Sequence, residues 1–206
     1  MKRLSKLMSD GNTFYRGFGL VLFGAIARNY VYNSAEENAL LEGMSPKRIM
    51  VSDDWHDTLS WAKVIAGKEP HTAYAYYPPE YLQTKVWTPA CSVFAMVAIV
   101  YQFLTGELPY VGNVPEELLT SEEGLQYIRK KRKEELDMTF IPHECRDFIK
   151  KGLSLRKKDR YTSLSDTVDD YATLVDNLQG NTPQELGEAM DEYIINEYKQ
   201  FLLGQG

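Results

Sequence analysis

The sequence predicts a single, mainly α domain with a minor short β-hairpin and an extra C-terminal helix. Three observations predict this class. Long segments carry apolar residues at helical spacing, proline and glycine stand where those helices would start and stop, and only Arg48-Ile49-Met50-Val51 reads plainly as a strand running into a turn. At 206 residues, 44% hydrophobic and 25% charged, the chain is long enough to bury one good core.

The first helix falls at about 14–32, where Leu20, Val21, Phe23, Gly24, Ile26, Ala27 and Tyr30 put apolar groups on most of its sides. Such a helix must be deeply packed. An acidic connector at 33–38 leads to the strand at 49–51, and Ser52-Asp53-Asp54 turns the chain toward a partner strand at 58–61. Thr88 suits an N-cap, Pro89 the first helical position and Gly106 the left-handed stop, which frames a helix at 89–104. Val93, Phe94, Val97, Ala98, Val100, Tyr101 and Leu104 make that helix apolar almost all round, so it belongs at the centre of the core.

A helix at about 116–133 ends in Arg129-Lys130-Lys131-Arg132-Lys133, with Glu122 and Glu123 before and Glu134 and Glu135 after, and reads as a solvated helix end. Pro142 opens the next helix, whose Cys145, Phe148, Ile149 and Leu153 form one stripe. Another begins near Ser163, with Leu164, Val168, Tyr171 and Val175 spaced for burial. These segments make up a domain at 1–178. Beyond it, at 179–206, Thr182-Pro183-Gln184-Glu185 is a capping box that starts a tail helix with Leu186, Met190, Tyr193, Ile194, Phe201 and Leu202 on one apolar face. That face must either fold back on the domain or dock on a partner protein or a second copy of the chain.

The formal charge of −6 gives no electrostatic drive toward nucleic acid or anionic lipid. Cys91 and Cys145 stand far apart with no histidine cluster beside them, which argues against a disulfide framework or a zinc site and fits the reducing cytoplasm. The apolar runs at 17–27 and 86–104 read as buried helices rather than membrane spans, the first being short and ended by Arg28, the second holding Thr88, Pro89, Ser92 and Gln102. Asp53, Asp54, Asp57 and His56 have metal-ligand side chains, but an exposed turn accounts for them. His71 and His143 stand alone, and no G-x-S-x-G string marks a nucleophile. Thr72, Tyr74, Tyr76 and Tyr77 are candidate phosphorylation sites, but packing is the favoured account of the tyrosines.

Two strings stand out: Tyr76-Tyr77-Pro78-Pro79-Glu80-Tyr81 and Leu104-Thr105-Gly106-Glu107-Leu108-Pro109-Tyr110, followed by Asp159-Arg160. In type and spacing they resemble the C-terminal, large lobe of eukaryotic-like protein kinases over about 4–175. The resemblance implies that Tyr77-Pro78-Pro79-Glu80 ends an activation segment, that 93–104 is the central buried helix, and that Glu80 and Arg160 form a structural ion pair. A buried carboxylate is costly unless a guanidinium answers it, so the two should meet.

The chemistry of that family is not carried over. Phosphoryl transfer needs a carboxylate to orient the hydroxyl, an Asn and an Asp on magnesium, and a lysine with a glycine-rich loop on the phosphates. Leu41-Glu42-Gly43-Met44-Ser45-Pro46-Lys47-Arg48-Ile49 resembles the catalytic loop, with Gly43 in place of the aspartate and Arg48 in place of the asparagine. Leu59-Ser60-Trp61-Ala62 fits the Asp-Phe-Gly position, with Ser60 where the metal carboxylate belongs. Ser92 replaces the aspartate that braces the catalytic loop, Val97 replaces a glycine, and no glycine-rich loop or phosphate lysine precedes these segments. The expectation is a catalytically inactive, pseudokinase-like scaffold or regulator that needs no cofactor and binds a protein, through the face a small lobe would cover, the 116–133 helix and the tail. The alternatives are a nucleotide-dependent transferase completed by a small lobe on a separate chain, and a structural subunit of a larger assembly.

Overall fold

The computed structural model describes residues 2–9, 17–30, 41–51, 62–65, 74–115, 118 and 120–178. Over these residues the chain is mostly helical with one small sheet, the fold class that the periodicity predicts. The tail helix expected at 183–203 lies outside the described residues.

The sheet has three strands where a hairpin was expected. Strand β1 (Lys2–Arg3) pairs antiparallel with β2 (Ile49–Val51), which pairs antiparallel with β3 (Ala62–Val64). The register sets Ile49 opposite Val64 and Val51 opposite Ala62. The partner strand thus falls just after the 58–61 stretch, which lies outside the described residues. Burial alternates along β3, with Ala62 and Val64 inward and Lys63 on the solvent face. β1 is too short and too polar to announce itself by alternation.

Helix α1 (Leu4–Ser9) follows β1 at once and buries Leu4 completely. Helix α2 (Phe18–Tyr30) lies inside the predicted 14–32 span and packs on the central helix α4 (Pro89–Thr105), to which Phe18 contributes a tilted ring contact with Phe103 at 5.4 Å. Between them in sequence, the short helix α3 (Pro79–Thr84) carries Glu80.

The limits of α4 follow its sequence signals. Thr88 at the N-cap sits in extended backbone and forms a reciprocal capping box with Cys91, Pro89 opens the helix, and Gly106 closes it at φ 78°. The residues from Ala90 to Tyr101 are all buried, which places α4 at the centre of the core. Among the described residues no helix is long and apolar enough to cross a membrane, so the greasy 86–104 run is answered by neighbouring helices.

Within the expected 116–133 stretch Leu118 and Thr120 are helical, and after a bend at Ser121 helix α5 (Glu122–Lys131) begins on its own cap, the Ser121 hydroxyl accepting from the Gly124 amide at 2.9 Å. Helix α6 (His143–Gly152), entered through Pro142, turns Cys145, Phe148 and Ile149 inward, and α7 (Val168–Asn177) follows a 3-10 turn at Ser165–Thr167. Phe23, Phe148, Tyr161 and Tyr171 then join α2, α6 and α7 through ring contacts of 5.2 to 6.1 Å.

Candidate functional site

The loop 41–48 is fixed at both ends by burial. Leu41 and Met44 are fully buried, the Met44 amide donates to the Leu41 carbonyl at 3.2 Å, and Pro46–Arg48 forms a 3-10 turn that feeds directly into β2. Gly43 stands at the turn with φ +72°, a backbone region that costs other residues free energy.

Arg48 is buried and folds back along the hairpin, its Nε and Nη2 donating to the Ile65 carbonyl at 3.2 and 2.7 Å while its own carbonyl accepts from the Ile65 amide at 2.8 Å. The same guanidinium reaches back to Gly43. A Cβ placed on Gly43 would lie 3.7 Å from Arg48 Nη1 and 3.7 Å from the Tyr77 hydroxyl. The direction in which a catalytic aspartate would project is therefore bounded by a fixed cation and a phenol. Gly43 has no group to accept a proton, and a buried guanidinium repels a divalent ion.

Ser60 lies outside the described residues. Asp53, Asp54, His56, Asp57, His71 and Thr72 also lie outside the described residues, and among those described no group of three or more His, Cys, Asp or Glu could hold a metal.

Beside the loop stands an aromatic group drawn from α3 and its flanks. Tyr77, Tyr81 and Trp87 meet edge to face, with centroids 5.3, 5.7 and 5.0 Å apart. Burial, aided by the nearby charge of Glu42, pushes the Tyr81 phenol above its ordinary pKa. Lys85 ends α3 in the left-handed conformation, φ 58°, and holds its ammonium 5.8 and 5.9 Å from the rings of Tyr74 and Tyr81. Val86 next to it is 59% exposed. The Trp87 indole donates to the Ser92 hydroxyl at 2.9 Å, so Ser92 braces a tryptophan.

Glu80 and Arg160 are brought together. Arg160 Nη1 donates to Glu80 Oε1 at 2.7 Å and Nη2 to Oε2 at 3.2 Å, while Nε bonds the Ser154 carbonyl at 2.9 Å and Nη1 the Ala90 carbonyl at 3.1 Å. One guanidinium thus locks α3, the start of α4 and the loop after α6. The Phe94 ring lies against it, with the guanidinium carbon 5.0 Å from the centroid.

Arg132 departs from expectation. The basic run 129–133 was read as a solvated helix end, yet Arg132 is only 8% exposed; its Nη2 donates to the Ala75 carbonyl at 3.1 Å and its guanidinium lies 5.3 Å from the Phe94 centroid. The signal was present in the spacing, because Leu125, Ile128 and Arg132 follow one another at i, i+3 and i+7 on the inward stripe of α5. Among the described residues the exposed large hydrophobics are Val86, Phe140 and Val168, which sit apart in sequence on three different segments. Tyr193, Ile194, Phe201 and Leu202 lie outside the described residues.

Comparison with solved structures gives a protein-kinase-like neighbour, a crystal structure of Rad53 1-466 in complex with AMP-PNP, at a TM-score of 0.52 and 20% identity. The match covers 82% of this chain and 43% of that one, so the chain spans less than half the length of this neighbour. No family model matches the sequence, and no curated protein matches it. The likeness establishes a kinase-like fold.

Proposed function

We propose that this chain is a catalytically inactive, kinase-like protein that works by binding another protein. The observation that carries the reading is the surround of Gly43: the place for a catalytic carboxylate holds a glycine boxed by Arg48 and Tyr77. In this reading, losing the base and the metal-binding asparagine removes two separate sources of transition-state stabilisation, each often worth powers of ten in rate. What α3 and its flanks present instead is a face with the rings of Tyr74 and Trp87, the aromatic types that protein interfaces favour, beside the exposed Lys85 and Val86. The outer side of α5 and the capped tail are the further binding surfaces of this reading.

The test is a phosphoryl-transfer assay on the purified chain with labelled ATP and magnesium or manganese, using itself and generic basic and acidic proteins as acceptors. The reading expects no incorporation above that of a heat-denatured control. Transfer that tracks the folded protein and is abolished by Arg48→Ala would replace it with the enzymatic reading.

A further inference from the structure

Helix α7 is held on two flanks. Toward α6, Asp170 takes the Lys151 ammonium at 3.0 Å; toward α2, the Tyr171 hydroxyl donates to the Leu20 carbonyl at 2.8 Å, and its ring stands so close to Gly24 that a Cβ there would lie 2.9 Å from Cζ. Past Tyr171, on the flank turned away from α6, Val168, Ala172 and Val175 follow one another at i, i+4 and i+7. Val168 is 43% exposed, Ala172 is exposed and Val175 is half-buried, while the outermost positions, Asp169, Thr173 and Asp176, are polar as solvent requires. On α2 the half-buried Val21 and Ala25 share a stripe with Gly24 and widen this apolar flank. A surface helix carries an apolar stripe where another element packs on it.

Chain connectivity says which element that is. α7 ends at Asn177 and the next capping box opens at Thr182, with Pro183 at the first turn, so 178–181 alone connects them. Helices joined by about two to five residues lie side by side and antiparallel. A tail helix therefore returns along α7, and among the described residues the flank of α7 that is both open and apolar is the one with Val168. Counted back from the turn, Leu186 falls opposite Val175, Ala189 opposite Ala172 and Tyr193 opposite Val168, and these three tail residues share one helical stripe. Glu185, Glu188 and Glu192 fall on the other side of the tail, where water solvates them.

We infer that the segment beginning at Thr182 is the occupant of this flank, folding back over α7 as an antiparallel helical hairpin with Leu186, Ala189 and Tyr193 against Val175, Ala172 and Val168. The ten residues of α7 span about 15 Å, roughly half the length of a helix over 183–203, so the pairing uses the first half of the tail. The second half, with Phe201 and Leu202, runs past the start of α7 and is the part left for a partner protein.

The test is disulfide trapping in the full chain, whose own Cys91 and Cys145 are buried. Ala172→Cys with Ala189→Cys is expected to close within one chain, under mild oxidation of dilute protein, at least tenfold faster than Thr173→Cys with Ala189→Cys, whose first thiol lies at the same height on the polar side of α7; peptide mapping reads both. Ala172→Asp and Leu186→Asp should each lower Tm by several degrees, and together no further than either alone, because both break one contact. At a solvated position Ala172→Asp would leave Tm within about two degrees of wild type. Equal closure rates for the two pairs, no closure with Ala172→Cys, or a Tm unmoved by Ala172→Asp overturns the proposal; closure between two chains instead of within one overturns it in favour of a second copy on this flank. Neither readout depends on whether the chain transfers phosphate.

Discussion

Arg160 holds both oxygens of Glu80, at 2.7 and 3.2 Å, across eighty residues of sequence. The arginine side chain is fully buried and the glutamate 22% exposed, so the pair sits at the inner edge of the core rather than on the surface. Its value is in register: it fixes α3, and with it Tyr77 and Tyr81, against the start of α4.

Removing the carboxylate leaves an uncompensated charge inside the protein. Glu80→Gln is expected to lower the stability of the domain by about 3 kcal/mol or more, measured by urea unfolding. Pairing Glu80→Leu with Arg160→Met should recover most of that loss, because the double variant buries no charge. Equal losses in the single and the double variant would mean that the pair contributes through its carbonyl contacts alone.

Val97 fills a space that Gly152 leaves. A Cβ on Gly152 would come within 2.6 Å of Val97 Cγ2 and 2.9 Å of Cγ1, so the valine of α4 and the glycine of α6 fit as a matched large and small pair. Gly152→Ala is expected to cost about 1–3 kcal/mol by overpacking, and adding Val97→Ala should relieve part of it in a double-mutant cycle. Additive losses would show that the contact does not couple the two sites.

Asp170 supplies an acid-sensitive contact. The Tyr161 hydroxyl donates to it at 2.6 Å and the Lys151 ammonium at 3.0 Å, and these hydrogen bonds, Tyr161 first, hold its carboxyl below the usual 3.8. A depressed folded-state pKa gives stability that is complete above the unfolded value and is lost as pH falls through the folded one. Asp170 is half exposed, so screening limits the contribution to about 1 kcal/mol or less. Asp170→Asn should therefore unfold slightly earlier than wild type at pH 7, and the difference should vanish well below pH 3.8; a difference that persists there would assign the effect to packing.

Restoring one carboxylate should restore nothing. Gly43→Asp finds ordinary van der Waals room, with its nearest neighbours 3.7 Å away, but must adopt φ +72°, at a cost of about 1 kcal/mol. The variant is expected to fold with slightly reduced Tm and to gain no phosphoryl transfer, its new carboxylate facing Arg48. Any transfer rate that appears with magnesium and depends on Asp at 43 would show that the rest of the site is competent.

The helical framework was legible because its signals are local. Thr88, Pro89 and Gly106 mark α4 by backbone chemistry that acts within a few residues, and the limits they imply match the observed ones to within one residue at the C-terminal end. The meeting of Glu80 and Arg160 was legible through a resemblance plus an energetic requirement. What was not legible depends on partners distant in sequence. β1 exists because β2 offers it an edge, and β3 because its register with β2 turns Lys63 to solvent between buried Ala62 and Val64. Arg132 was misread because a run of like charges hides the one member that shares the inward stripe with Leu125 and Ile128.

The central claim is that the loop carrying Gly43 and Arg48 does not hold a nucleotide on a divalent ion. Isothermal titration of the intact chain with ATP and magnesium tests it most directly. The account predicts no saturable heat up to millimolar nucleotide; a stoichiometric binding isotherm that requires magnesium and is weakened by substitution at Arg48 would contradict it.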